Sequence, residues 1–178
     1  MLVGCSIPKT QRDPVRLSAL PAPTGEHLPA AVVWSARTDE HRVVEENVEA
    51  WTSRRGPTVI DFGELVASLE RATTLGTTDH VKVTDVRVRV HYSNSWFRRF
   101  RFTQVALQVT RHGNGANRVG WITGDSFSRI HPKVDDLLES SESRDRFSSD
   151  VTKATIAALS AAPSQRLAEE CPIGETGR

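Results

Sequence analysis

Between residues 96 and 102 the chain reads Trp96-Phe97-Arg98-Arg99-Phe100-Arg101-Phe102, three arginines interleaved with four aromatic side chains. Guanidinium groups neutralise phosphates and aromatic rings stack on bases. The composition therefore suits either a single-stranded nucleic-acid platform or a segment resting on anionic headgroups. The same residues also read as a plain strand: Trp96, Phe100 and Phe102 alternate into the core or onto a sheet face while the arginines shield an edge. With 23 Lys plus Arg against 22 Asp plus Glu, the net charge of +1 supplies no global field toward nucleic acid, and the strand reading is preferred. Upstream, Asp39, Glu40, His41 and Glu45 are residue types that ligate metals. Asp39 and His41, at i and i+2, share a face only on a strand, and no second cluster completes a site, so a solvated charged segment is expected and no metal. Asp125, Ser126 and His131 are the residue types of a nucleophilic triad, but no Gly-x-Ser-x-Gly elbow accompanies them. Asp79-His80 reads as turn chemistry. No Walker loop or Gly-x-Gly-x-x-Gly sequence occurs, so no nucleotide cofactor is expected, and the chain reads as a non-enzyme.

The elements that must position these residues can be read from periodicity. A chain of 178 residues that is 38% hydrophobic supports one core, and a single α+β domain over 30–162 is expected. Its frame is an antiparallel sheet, made of an N-terminal strand and a three-stranded meander, with two helices packed on one face. Ala30 to Trp34 is the opening strand; Thr38 to Glu49 fits an exposed helix or a strand with a long loop. Pro57 to Ile60 is a short strand-like piece. Asp61 then caps a helix, with Glu64 completing a capping box, Phe62, Leu65, Val66 and Leu69 on its apolar face and Gly76 closing it. From Val81 the period becomes two. Val86, Val88, Val90 and Tyr92 share one face and Arg87, Arg89 and His91 the other, with a bulge near Thr84-Asp85. Ser93-Asn94-Ser95 turns the chain into a second strand from Trp96 to Arg111, aligning Val105, Leu107 and Val109. Gly113-Asn114-Gly115 turns it into a third, from Arg118 to Ile130, with Val119, Trp121 and Phe127 on one face. A last helix runs from Ser143 to Ala162, stopped by Pro163, and 163–178 is expected to be a flexible tail.

The face bearing Arg87, Arg89 and His91, extended by Trp96, Arg98, Arg99 and Arg101, is the expected interaction surface. No run of about 18 apolar residues occurs, so nothing in the sequence spans a bilayer as a helix. The N-terminus offers a different attachment. Leu2-Val3-Gly4-Cys5 resembles the lipobox at which bacterial lipoproteins are cleaved and acylated, which would make Cys5 the first mature residue; a basic and apolar leader upstream of Met1 is then expected. Pro8, Pro14, Pro21, Pro23 and Pro29 follow without apolar periodicity, as in an extended tether over 1–29. Cys171 is the only other cysteine, so a disulfide framework is not expected.

Lipobox, spacer, and the order of elements from Asp61 to Ala162 together resemble the small α+β lipoproteins of Gram-negative envelopes, in particular the YajG-like group of uncharacterised function. The auxiliary lipoproteins of envelope transport systems are similar in size and anchoring. The resemblance implies outer-membrane attachment through Cys5, with Ser6 fitting the sorting pattern for that membrane. It further implies an envelope protein partner and no catalytic residues. A soluble nucleic-acid-binding protein using the arginine and aromatic strand is the competing class.

Overall fold

The computed structural model describes residues 13–20, 28, 31–47, 57–72, 80–95, 98–113, 116–130 and 140–174. Its frame is three long strands: β5 (His80–Ser95), β6 (Arg98–Gly113) and β7 (Ala116–Ile130) form an antiparallel meander whose register is unbroken from Arg99↔Ile130 to Gly113↔Ala116. The alternation in β5 is disturbed once, between Val83 and Asp85, where a register shift lets Val81 and Val83 face the core with Val86, Val88 and Val90. That bulge is where the parity of the sequence placed it. The turn after β5 is not: β5 continues through Ser93, Asn94 and Ser95, pairing Ser95 with Arg98, and residues 96–97 lie outside the described residues. Asn114-Gly115 also lies outside them.

The sheet is mixed rather than antiparallel, with seven strands rather than four. On the side of β5 away from β6, β2 (Ala31–Trp34) runs parallel to its first half and β3 (His41–Glu46) parallel to its second. Between them Ser35 and Ala36 both donate their N–H to Val83 O, and the chain loops out before re-entering at His41 through Glu40, whose φ of 57° is left-handed. The charged segment Thr38–Glu49 thus contains a strand, with Val43 buried. β4 (Val59–Asp61) pairs antiparallel with β3, and β1 (Val15–Arg16), a piece of the expected tether, pairs parallel with β4. Two- to four-residue strands carry too little periodicity to be read singly. Parallel pairing depends on distant chain segments, so local alternation could not reveal it.

Helix α1 (Gly63–Ala72) starts where Asp61 Oδ1 accepts the Gly63 N–H at 2.8 Å, and it buries Leu65, Val66 and Leu69 behind Phe62. Gly76 lies outside the described residues. Helix α2 (Ser141–Ala161) is capped by Ser140, whose hydroxyl accepts from Ser143 N–H, and it buries Phe147, Val151, Ala154, Ala158 and Leu159. Both helices join the inward valines of β5 and β6 in one apolar cluster, so they share the sheet's inner face. Gly124 sets how close α2 lies. A Cβ there would stand 2.1 Å from Ala154 O and 2.4 Å from Ala158 N, so only a bare backbone lets the helix seat at this depth.

The segment after α2, expected to be flexible, is laid against the sheet as far as Gly174. Trp121 and Ala168 exchange two backbone hydrogen bonds, of 2.8 and 3.0 Å, on the outer edge of β7. The chain then crosses to the sheet's other face, where Ile173 is fully buried with Ala106 and Trp121. One isoleucine in a polar stretch gives no periodic signal, which is why sequence reading missed it.

Candidate functional site

The outer face of the sheet, opposite the helices, carries the charged set that alternation predicted. Register places Glu46, His91, Phe102 and Phe127 in one row across β3, β5, β6 and β7, with Val44, Arg89, Gln104 and Asp125 in the next. Arg89 Nε lies 3.5 Å from Glu46 Oε1, and His91 Nδ1 3.4 Å from Glu46 Oε2. Arg87 lies over the Trp121 ring at 5.5 Å. These side chains do not face open solvent as a bare patch, because the C-terminal segment covers the middle of the face. Arg89 Nη2 donates to Pro172 O at 3.0 Å, and half-buried Cys171 and Val44 flank Ile173. Arg111 Nη2 donates to Gln165 O where the segment leaves α2; burial, with Arg118 nearby, lowers the Arg111 pKa.

Beyond this strap, toward the β5–β6 turn, the outer face carries a group of aromatic side chains. Phe100 and Phe127 stack with centroids 5.0 Å apart, Phe127 is 65% exposed, and Phe102 is 36% exposed between β5 and β7. His91 borders the group on β5, and Arg129 on β7 stands opposite Phe100. Exposed aromatics clustered on one sheet face are uncommon on a monomer's surface and mark contact sites.

The arginine and aromatic strand is therefore turned over relative to the sequence reading. Phe100 and Phe102 point outward, while Arg101 points into the core and is 1% exposed. There its Nε and Nη2 reach Asp150 Oδ2 on α2 at 2.9 and 2.7 Å, the Ser128 hydroxyl donates to the same oxygen at 2.6 Å, and Phe147 lies under the guanidinium at 5.1 Å. Arg101 Nη1 has no acceptor among the described residues. Arg101 is thus no part of an interaction surface but an internal tie between β6 and α2. Arg99 has the same parity, opposite Ile130, so Arg99 and Arg101 sit on the opposite sheet face from Phe100 and Phe102. Trp96 and the Arg98 side chain lie outside what is described, as does Cys5.

The other candidate chemistries disperse. Both Asp39 carboxylate oxygens accept from Arg37, at 2.7 and 3.2 Å, and this bond holds the Asp39 pKa below its ordinary value and the Arg37 pKa above its own. His41 Nε2 contacts Arg37 O, and its ring meets Phe62 edge-on at 5.2 Å. No group of three or more metal-ligating side chains occurs among the described residues. Asp125 and Ser126 project to opposite faces of β7, and His131 lies outside the described residues, as does Asp79. A cleft of about 570 Å³ between Asp13–Arg16 and the first turn of α2 mixes Arg16 and Arg144 with Asp13 and Asp145, so neither sign of charge is concentrated there. No described helix is long and apolar enough to cross a membrane.

No protein-family model, curated protein or solved structure matches this chain.

Proposed function

We propose that this protein is a lipid-anchored interaction module of a Gram-negative cell envelope, held at the outer membrane through acylated Cys5 and docking a protein partner on the outer sheet face. The observation that supports the docking role is the pair of exposed rings Phe102 and Phe127, with half-buried Phe100 stacked on Phe127. The three rings sit at one end of a rigid three-stranded frame, so little side-chain entropy is lost when a partner covers them. The polar neighbours Glu46, His91 and Arg129 supply a rim. Anchoring rests on Leu2-Val3-Gly4-Cys5 and the proline-punctuated residues behind it; two or more acyl chains give stable attachment, and the spacer sets the reach of the domain. Function in this reading is localisation and contact, without bond-making chemistry.

The anchor is tested by expressing the protein in a Gram-negative host from its full upstream reading frame, beside Cys5→Ala. An intact mass carrying acyl chains on Cys5, with membrane association lost in the variant, supports the reading. An unmodified chain that stays soluble in both would discard it.

A further inference from the structure

The outer edge of β7 carries a second inference, independent of the anchor. Both the N–H and the C=O of Trp121 bond Ala168, so odd-numbered residues of β7 turn their backbone groups away from β6. Past that bridge, the outward backbone groups of Asp125, Phe127 and Arg129 have no partner among the described residues. An open edge with an exposed phenylalanine on it is the arrangement that folded sheets normally suppress with lysine, proline or a bulge. β7 here has none of these between Asp125 and Arg129, and its register with β6 is regular throughout.

We propose that this edge pairs antiparallel with the same edge of a second copy, about a two-fold axis at Phe127, making one continuous sheet through a homodimer. The register follows from the side chains. With the axis at Phe127, Phe127 faces Phe127 of the other copy, and Asp125 faces Arg129 twice over, once on each side of the axis. A slip of one residue toward the N-terminus sets Phe127 against Asp125; a slip of two sets Asp125 against Asp125; a slip of one the other way sets Phe127 against Arg129. Only the first register matches apolar with apolar and acid with base, and cross-strand pairs of these kinds are the ones that stabilise sheets. The backbone agrees, because Asp125, Phe127 and Arg129 all present both hydrogen-bonding groups outward, as a closely bonded antiparallel pair requires. Such an interface is isologous and closes on itself, so it forms a dimer rather than a filament. It also joins the two aromatic groups into one continuous band across the dimer.

The test is sedimentation equilibrium of the full chain, produced unacylated and kept reduced, for wild type, Asp125→Arg, Arg129→Asp, an equimolar mixture of the two single variants, and the double charge swap. Both positions are exposed, and far-ultraviolet circular dichroism checks that each variant folds as wild type does. Wild type is expected to dimerise, and each single variant to weaken the dimer at least about tenfold, because like charges then face each other on both sides of the axis. The mixture and the double swap are expected to recover wild-type affinity, since both restore acid opposite base. A wild type that is monomeric throughout the concentration series overturns the proposal. So does a dimer indifferent to the single substitutions, or a mixture that stays monomeric.

Discussion

Removing the Asp150 carboxylate strands a guanidinium inside the protein. Arg101 is 1% and Asp150 6% exposed as side chains, and Asp150 Oδ2 on α2 accepts two hydrogen bonds from Arg101 on β6 and one from Ser128 on β7. In Asp150→Ala, Arg101 would keep its burial without a counter-charge, a change that costs about 3–5 kcal/mol in comparable buried pairs. For a domain of this size that corresponds to a loss of about 6–20 °C in melting temperature. Ser128→Ala removes one bond to the same charged oxygen and leaves the ion pair, so its cost is smaller, about 1.5–3 kcal/mol. The pair as a whole stabilises far less than breaking it suggests, because both ions were taken out of water and Arg101 Nη1 finds no acceptor among the described residues. Replacing both partners, Arg101→Met with Asp150→Leu, should therefore fall within about 1 kcal/mol of wild type or exceed it. The exposed pair Glu142–Arg146 on the same helix is the control, and Glu142→Ala should cost no more than about 0.5 kcal/mol. Urea denaturation of wild type and these four variants, with Arg101→Met and Asp150→Leu alone added to complete a double-mutant cycle, gives the comparison. A loss below about 1 kcal/mol for Asp150→Ala would refute the reasoning, since the guanidinium would then be reaching water.

Three other outcomes follow from the same contacts. Gly124→Ala drives a methyl into the backbone of α2 at Ala154 and Ala158, and should cost about 3 kcal/mol or more in denaturation experiments. Ile173→Ala empties the fully buried site under the C-terminal strap and should lose about 2–4 kcal/mol, with earlier proteolysis after residue 162 and a shifted emission that depends on Trp121. Asp39 should titrate below the ordinary carboxylate range by carboxyl-detected nuclear magnetic resonance, and Arg37→Gln should raise it. The sign is that of a depressed acid: the stabilisation is complete above the ordinary carboxylate pKa and disappears as pH falls through the lowered one.

The parts of the fold written in local pattern were legible, and the parts that depend on distant pairing were not. Val86, Val88 and Val90 alternate with Arg87, Arg89 and His91 over enough residues to set a strand and both its faces, and Phe62, Leu65, Val66 and Leu69 did the same for α1. β1 and β4 are too short for any period, and the parallel partnership of β2 and β3 with β5 joins segments about 45 to 49 residues apart. The candidate surface was half legible. Arg101 has the same parity as Val105, Leu107 and Val109, and β6 has no bulge relative to β7 between them, so its inward direction was present in the sequence. Hydropathy argued the other way, because an arginine was expected outside and a phenylalanine inside. Asp150, the residue that makes an inward arginine tolerable, lies 49 positions away on another element. Phe127 was placed on the correct face, but its exposure could not be read while the C-terminal strap, whose described part packs on Trp121, went unrecognised.

The most direct test is site-specific photo-crosslinking from position 127 in envelope-bearing cells, with a photoreactive phenylalanine in place of Phe127 in both wild-type and Cys5→Ala backgrounds. A discrete adduct to a protein other than a second copy of this chain, found in the membrane fraction of the first, absent when the probe is moved to exposed Val33 and lost in the Cys5→Ala background, is the result expected of an anchored docking module. No adduct from position 127 to another protein, or the same hetero-adduct formed by soluble Cys5→Ala protein, would contradict it, whereas a self-adduct is expected in both backgrounds.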